Sequence, residues 1–280
     1  MEFWKMQGCG NDFIVIDGRF DNRDDNSYSN DALKLCARKF SIGADGFIVV
    51  KDSDDSDIKM VYYNSDGSRG EMCGNGIRCF SKYVFDKKII TKSKFTVETL
   101  GGVKEISLEL NSSNEIKSIS VDMGVGFFEP ELIPVHDLFK GKSRFIDETI
   151  NVLGKEFRVS SILMGVPHTV IFVEDDISID DLIMYGKEIE VHEFFPKKTN
   201  VNFVKVLGQN KIYVKTWERG CGYTYGCGTG MTASAIISNY FDKTSKNVNV
   251  VSVGGSVDIK ITSNGAFMSG NAEVVYKGIL

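Results

Sequence analysis

The chain has 280 residues, 42% hydrophobic and 25% charged, the composition of an ordinary water-soluble globular protein. A net charge of −5 and a pI near 5.4 exclude a basic nucleic-acid surface, and no run approaches the ~18–20 apolar residues of a membrane span. The N-terminus, Met-Glu-Phe-Trp-Lys, lacks the charged-then-apolar layout of a signal peptide, so cytoplasmic residence and mostly reduced cysteines are expected.

Short strands punctuated by glycine, with a few helices, are predicted along the chain. Phe13–Asp17 reads as a strand, and Ala32, Leu33, Leu35 and Cys36 share one helical face. Phe47–Val50 and Ile58–Tyr63 are strands flanking the acidic run Asp52–Asp57, which reads as a solvated loop. Ile77, Phe80, Tyr83 and Val84 return to helical spacing, and Phe95–Glu98 and Val103–Leu110 are strands. An irregular linker is expected near Val121–Phe128, where Gly124 and Gly126 precede Pro130 and Pro134. Beyond it, His168–Glu174 is a strand, and Ser178 caps a helix running to about Ile189. Strands at Val201–Val206 and Lys211–Trp217 precede helical spacing at Ala233, Ile236, Ile237 and Tyr240. Val248–Val253, Ser256–Thr262 and Asn271–Tyr276 complete the predicted strands.

The second half repeats the first. Ile58 through Gly76 registers without a gap on Ile212 through Gly230, carrying Cys73 onto Cys227 at an offset of 154. Both cysteines precede a Gly-X-Gly and an apolar-periodic run, and Gly101-Gly102 matches Gly254-Gly255 one residue out of step. A chain built twice with one thiol at the same place in each half suggests two domains whose thiols face one another. Two opposed acid/base groups on one carbon are what inverting a stereocentre requires.

Each cysteine sits between a strand with its loop and a helix. Glycines there leave backbone N–H groups uncovered, and the helix start adds partial positive charge. Such a place holds a carboxylate and shifts a neighbouring thiol toward the neutral range of proton exchange. Cys73/Cys79 and Cys221/Cys227 each have five intervening residues, more than the two to four usual in structural zinc pairs, so no metal is expected. Cys9, Cys36, Cys79 and Cys221 read as small buried hydrophobes. His168 follows a rigid Gly-Val-Pro turn and falls near Asn11-Asp12 in the repeat, whereas His136 and His192 read as surface residues. Glu218-Arg219 is either an ion pair on a face or a carboxylate and guanidinium aimed at a ligand.

Together these residues resemble the diaminopimelate epimerase family nearly end to end. The resemblance rests on Met6-Gln-Gly-Cys-Gly-Asn-Asp-Phe13, Gly43-Ala-Asp-Gly46, Asn64-Ser-Asp-Gly-Ser68, Cys73-Gly-Asn-Gly-Ile-Arg-Cys79, Pro167-His168, Thr199-Asn-Val201, and Glu218-Arg-Gly220 through Cys227-Gly-Thr-Gly230. It implies two pseudo-symmetric α/β (α+β) domains, each a mixed sheet curled around a central helix, with the active site in the cleft between them. Residues 1–122 with a return of 270–280 would form the first, and residues 123–269 the second. The implied reaction is cofactor-independent interconversion of LL- and meso-2,6-diaminopimelate for lysine and peptidoglycan precursor synthesis, in a possible homodimer. Cys73 and Cys227 would be the two bases, assisted by His168 and Glu218. Asn11, Asn64, Gly74, Asn75, Asn200, Glu218, Arg219, Gly228 and Thr229 would contact substrate, with the loop amides on the reacting carboxylate and Asn64, Asn200 and Arg219 on the distal end. Val166 and Tyr223 stand where the family usually has Asn and Glu. The residues alone also allow a racemase of another amino acid, or a non-catalytic thiol or zinc protein.

Overall fold

The computed structural model describes residues 2–279. In chain order it has strands β1 (Glu2–Gly8) and β2 (Asn11–Asp17), helix α1 (Ser29–Leu35), and strands β3 (Gly46–Lys51) and β4 (Ile58–Asn64). Helix α2 (Gly74–Asp86) leads to β5 (Lys94–Thr99), β6 (Gly102–Leu110) and β7 (Ile116–Gly124). Then come β8 (Glu148–Val152), β9 (Lys155–Met164), β10 (Val166–Phe172), α3 (Ile179–Glu190), β11 (Asn200–Gly208) and β12 (Lys211–Glu218). The short β13 (Gly222–Thr224), α4 (Gly228–Tyr240), β14 (Asn247–Ser252), β15 (Gly255–Thr262), β16 (Gly265–Gly270) and β17 (Glu273–Ile279) complete the chain. The chain divides into two compact units, Met1–Asp122 with Ser269–Leu280 and Met123–Met268.

The first unit is a mixed sheet wrapped on a buried helix. β2 lies antiparallel to β1 and parallel to β3; β3 and β4 are antiparallel; β4 and β5 are parallel across α2; and β5 and β6 are antiparallel. β17 adds antiparallel to the other edge of β1. β3, Gly-Phe-Ile-Val-Val-Lys, is a continuous apolar run buried on both faces, as a strand with a parallel neighbour requires. α2 buries ten of its residues, among them the polar Asn75, Arg78 and Ser81, and packs on β1, β2 and β3.

The second unit repeats that order. β10 is antiparallel to β9 and parallel to β11, β11 is antiparallel to β12, β12 is parallel to β14 across α4, and β14 and β15 are antiparallel. α4 is rich in Gly, Ala, Ser and Thr and packs on β9 through β12, β14 and β15. Small side chains let those strands approach the helix from several directions. Ser178 caps α3 by accepting from the Asp181 N–H at 3.1 Å.

Four sequence expectations change. The stretch from Val121 to Gly124 is strand rather than linker, because Ile119, Val121 and Met123 alternate inward and bury. Cys221 is exposed, since it tops the tight turn closed by its N–H on the Glu218 carbonyl at 3.0 Å. His192 is half-buried, edge-on to Phe194 with ring centroids 4.8 Å apart. Finally, strand register pairs His168 with Asn200 as it pairs Phe13 with Gly46. His168 therefore takes the place of Phe13, not that of Asn11-Asp12.

Candidate functional site

Both repeated cysteines are helix N-caps. Cys73 (φ −129°, ψ 119°) accepts from the Gly76 N–H and Cys227 (φ −108°, ψ 112°) from the Gly230 N–H, each at 3.4 Å. Each opens a helix of 13 residues, so each sulfur lies at the positive end of a helix dipole beside first-turn N–H groups that the helix itself cannot satisfy. Cys73 is half-buried and Cys227 is buried, with the Thr229 hydroxyl 3.3 Å from its sulfur.

In the first unit Asn11 is the hub beside the thiol. Its Oδ1 lies 3.8 Å from Cys73 Sγ and accepts from Asn75 Nδ2 at 3.4 Å, while its Nδ2 donates to Asp45 at 2.7 Å. Asn11 reaches this place from the tight β1–β2 turn, where Cys9 (φ 51°) and Gly10 (φ 77°) are both left-handed. Asn75 is in turn held by Arg78, a fully buried guanidinium that also donates to the Gly74 and Asn271 carbonyls. Behind Asn11, Asp12 is bridged by Lys5 at 2.7 Å and Arg38 at 2.6 Å, and Arg38 also reaches Asp45 at 2.8 Å. Burial pushes the Asp12 carboxyl up, but the hydrogen bonds from Arg38 and Lys5 outweigh it and hold it at about 2. Asn64 has other partners: it accepts from Tyr62 Oη at 2.8 Å and donates to Ser68 Oγ at 2.9 Å.

In the second unit His168 is fully buried, its Nδ1 3.3 Å from Asn202 Nδ2. Burial, with the nearby Arg219 guanidinium, pushes the imidazole down to about 3, so it is neutral at pH 7. Asn200 donates to the Pro167 carbonyl at 2.9 Å and accepts from the Arg219 N–H at 2.9 Å. The Arg219 guanidinium donates to the Lys197 carbonyl at 3.1 Å, and Glu218 accepts from the Thr224 hydroxyl at 2.6 Å. Glu190, buried at the end of α3, accepts from Trp217 Nε1 at 2.7 Å and the Gly220 N–H at 3.3 Å, with Lys198 3.3 Å away. Asn200 and Glu190 thus pin the backbone on which Glu218 and Arg219 stand.

The structure draws Asn11, Cys73, Gly74 and Asn75 into one cluster. It also links Asn200 to Arg219, Glu218 to Thr224, and Cys227 to Thr229. Sequence reasoning passed over Asp12, Asp45, Arg38, Glu190 and Asn202, which orient these residues. Asp12 and Asp45 stood inside recognised motifs, but Glu190 and Asn202 carried no signal beyond a helix end and a strand. Among the described residues no group of three His, Cys, Asp or Glu side chains is placed to hold a metal ion. No described helix is long and apolar enough to cross a membrane.

These burials set an acid response. His168 has its folded value below the ordinary 6.5, so the unfolded chain binds the proton first and stability falls as pH drops below 6.5. Half-buried His192 shifts the same way, and Asp12 adds its loss between its ordinary 3.8 and about 2. Unfolding free energy is expected to drop by roughly 2–3 kcal/mol between pH 6.5 and 4.5, and His168→Gln to remove most of that slope. Urea titrations at the two pH values measure it; an unchanged slope in the variant contradicts the burial argument.

Comparison with known proteins gives a consistent picture. The family model described as Diaminopimelate epimerase matches residues 3–127 and 160–275. The chain is 47% identical to a diaminopimelate epimerase of Caldanaerobacter subterraneus, over 99% of this chain and 98% of the relative. It is 44% identical to one from Alkaliphilus metalliredigens, over 100% and 97%. Among solved structures, a hydroxyproline epimerase from Agrobacterium vitis with bound trans-4-hydroxy-L-proline superimposes with a TM-score of 0.73 at 13% identity, over 99% of this chain and 91% of that one. At that identity the likeness is one of fold.

Proposed function

Because the chain belongs to the diaminopimelate epimerase family, we propose that it interconverts LL- and meso-2,6-diaminopimelate by a two-base thiol mechanism that needs no cofactor. The observation that carries the mechanism is the pair of cysteines at equivalent positions of the two repeats, each an N-cap of a buried helix. A thiolate at such a terminus is favoured by the helix dipole, and the first-turn N–H groups suit a carboxylate.

In this reading the amides of Gly74, Asn75, Gly228 and Thr229 hold the reacting α-carboxylate and Asn11 orients Cys73. The Cys73 thiolate takes the α-proton from one face, breaking C–H and forming S–H. The Cys227 thiol gives its proton to the opposite face, leaving a thiolate, and the reverse reaction exchanges the roles. Carboxylate binding lowers the cost of the carbanion by placing its developing charge against fixed donors. His168 and Glu218 assist the proton traffic, while Asn64, Asn200 and Arg219 engage the distal amino-acid end. In the cytoplasm, where this reading places the enzyme, the product would serve lysine and peptidoglycan precursor synthesis.

Incubation with LL-diaminopimelate in D2O tests this. Meso product should appear with deuterium at one Cα. Higher catalytic efficiency on another amino acid would overturn the substrate assignment and leave the chemistry; absence of Cα exchange with every amino acid tried would overturn both.

A further inference from the structure

We propose that Asn202 is a positioning residue that fixes His168 as a neutral Nε2–H donor, the form in which it serves the reaction. The proposal rests on the two-thiol reading above. It begins from a buried carboxamide whose orientation is forced. Asn202 is wholly buried on β11, where its Nδ2 lies 3.2 Å from the Thr169 carbonyl oxygen. A carbonyl only accepts, so the atom facing it is the NH2 group. The other end, Oδ1, accepts from the Thr216 hydroxyl at 3.0 Å. Helix α4 closes on the same amide, because a Cβ at Gly230 would stand 2.4 Å from Asn202 Oδ1. The flipped orientation would set the amide oxygen against the Thr169 carbonyl oxygen at 3.2 Å, acceptor against acceptor.

The consequence for His168 follows directly. Asn202 presents an N–H to Nδ1 at 3.3 Å, so Nδ1 must accept and the ring proton must sit on Nε2. Nε2 is buried with no hydrogen-bond partner among the described residues. A buried donor without an acceptor is costly and is kept where a ligand completes it. The repeat shows that folding does not need this polar pair. The places of His168 and Asn202 are taken in the first unit by Phe13 and Ile48, both fully buried. The second unit carries a polar pair where the first carries an apolar one at the same strand register.

Nitrogen-15 NMR of the imidazoles in the ligand-free protein, with His168 assigned by its loss in His168→Gln, reads the tautomer without any substrate. His168 should show a protonated Nε2 and a bare Nδ1 at pH 7. Asn202→Asp replaces the donor by a carboxylate, which should move the proton to Nδ1 and lower kcat about 10²-fold while KM changes far less. If that variant does not fold, Thr216→Val, which frees Oδ1, should mix the two tautomers and lower kcat about tenfold. An Nδ1–H or imidazolium signal in the wild-type protein overturns the proposal, as does a changed tautomer with kcat within twofold of wild type. A different preferred substrate alters neither spectrum, so failure of the substrate assignment is separable from failure here.

Discussion

Cys73→Ala and Cys227→Ala are each expected to abolish epimerization, by at least the 10²–10⁴-fold typical of a general acid–base group, because in the proposed mechanism each thiol acts in every turnover. The fold should survive. Each sulfur accepts a first-turn N–H at 3.4 Å, a long contact, so the lost cap costs about 1 kcal/mol. Circular dichroism and thermal melts therefore separate lost chemistry from lost structure. Cys→Ser leaves a weaker acid in place and retains partial exchange, which makes alanine the cleaner substitution. Near-wild-type turnover in either alanine variant would sink the two-base assignment.

Much of this site was legible because it is written twice. Cys73 and Cys227 stood out through shared register, and their Gly-X-Gly sequels marked helix starts that the structure contains. Strands with period-two or continuous apolar runs, such as β3 and β12, announced themselves locally. β1 did not, because Phe3, Trp4, Lys5 and Met6 are all buried in succession. Lys5 can be buried because Asp12, on the neighbouring strand, neutralises it and the Gly43 carbonyl accepts from it, and nothing within β1 says so. Asn202 was silent for the same reason: within Val-Asn-Phe-Val it is one polar residue in a strand. Its meaning comes from Thr169 and His168 on β10 and Thr216 on β12, which only the folded sheet brings to it. Local pattern specifies elements, whereas the orientation of a catalytic group is fixed by pairings that are remote along the chain.

Arg219→Ala is expected to lower kcat/KM for LL-diaminopimelate by about 10²–10³-fold while leaving slow turnover of lysine nearly unchanged. The guanidinium is the cation assigned to the distal carboxylate, and lysine lacks that group. Its base is held rigidly: the Arg219 N–H bonds Asn200, the next N–H bonds Glu190, and Nη1 bonds the Lys197 carbonyl. A fork held in place gives bidentate recognition at little entropic cost, and a substrate without the carboxylate leaves that fork unsatisfied. Discrimination against lysine should thus collapse in Arg219→Ala. Arg219→Lys, which keeps the charge and loses the fork, should fall between the two. Val166 and Tyr223 offer no carboxylate or amide, and Tyr223 packs on the apolar core with Trp217, so in the proposed site selectivity is expected to fall chiefly on Arg219 and the two asparagines. Competition kinetics with both amino acids decide the matter. An equal loss for lysine and diaminopimelate would mean that Arg219 shapes the loop rather than reads the substrate.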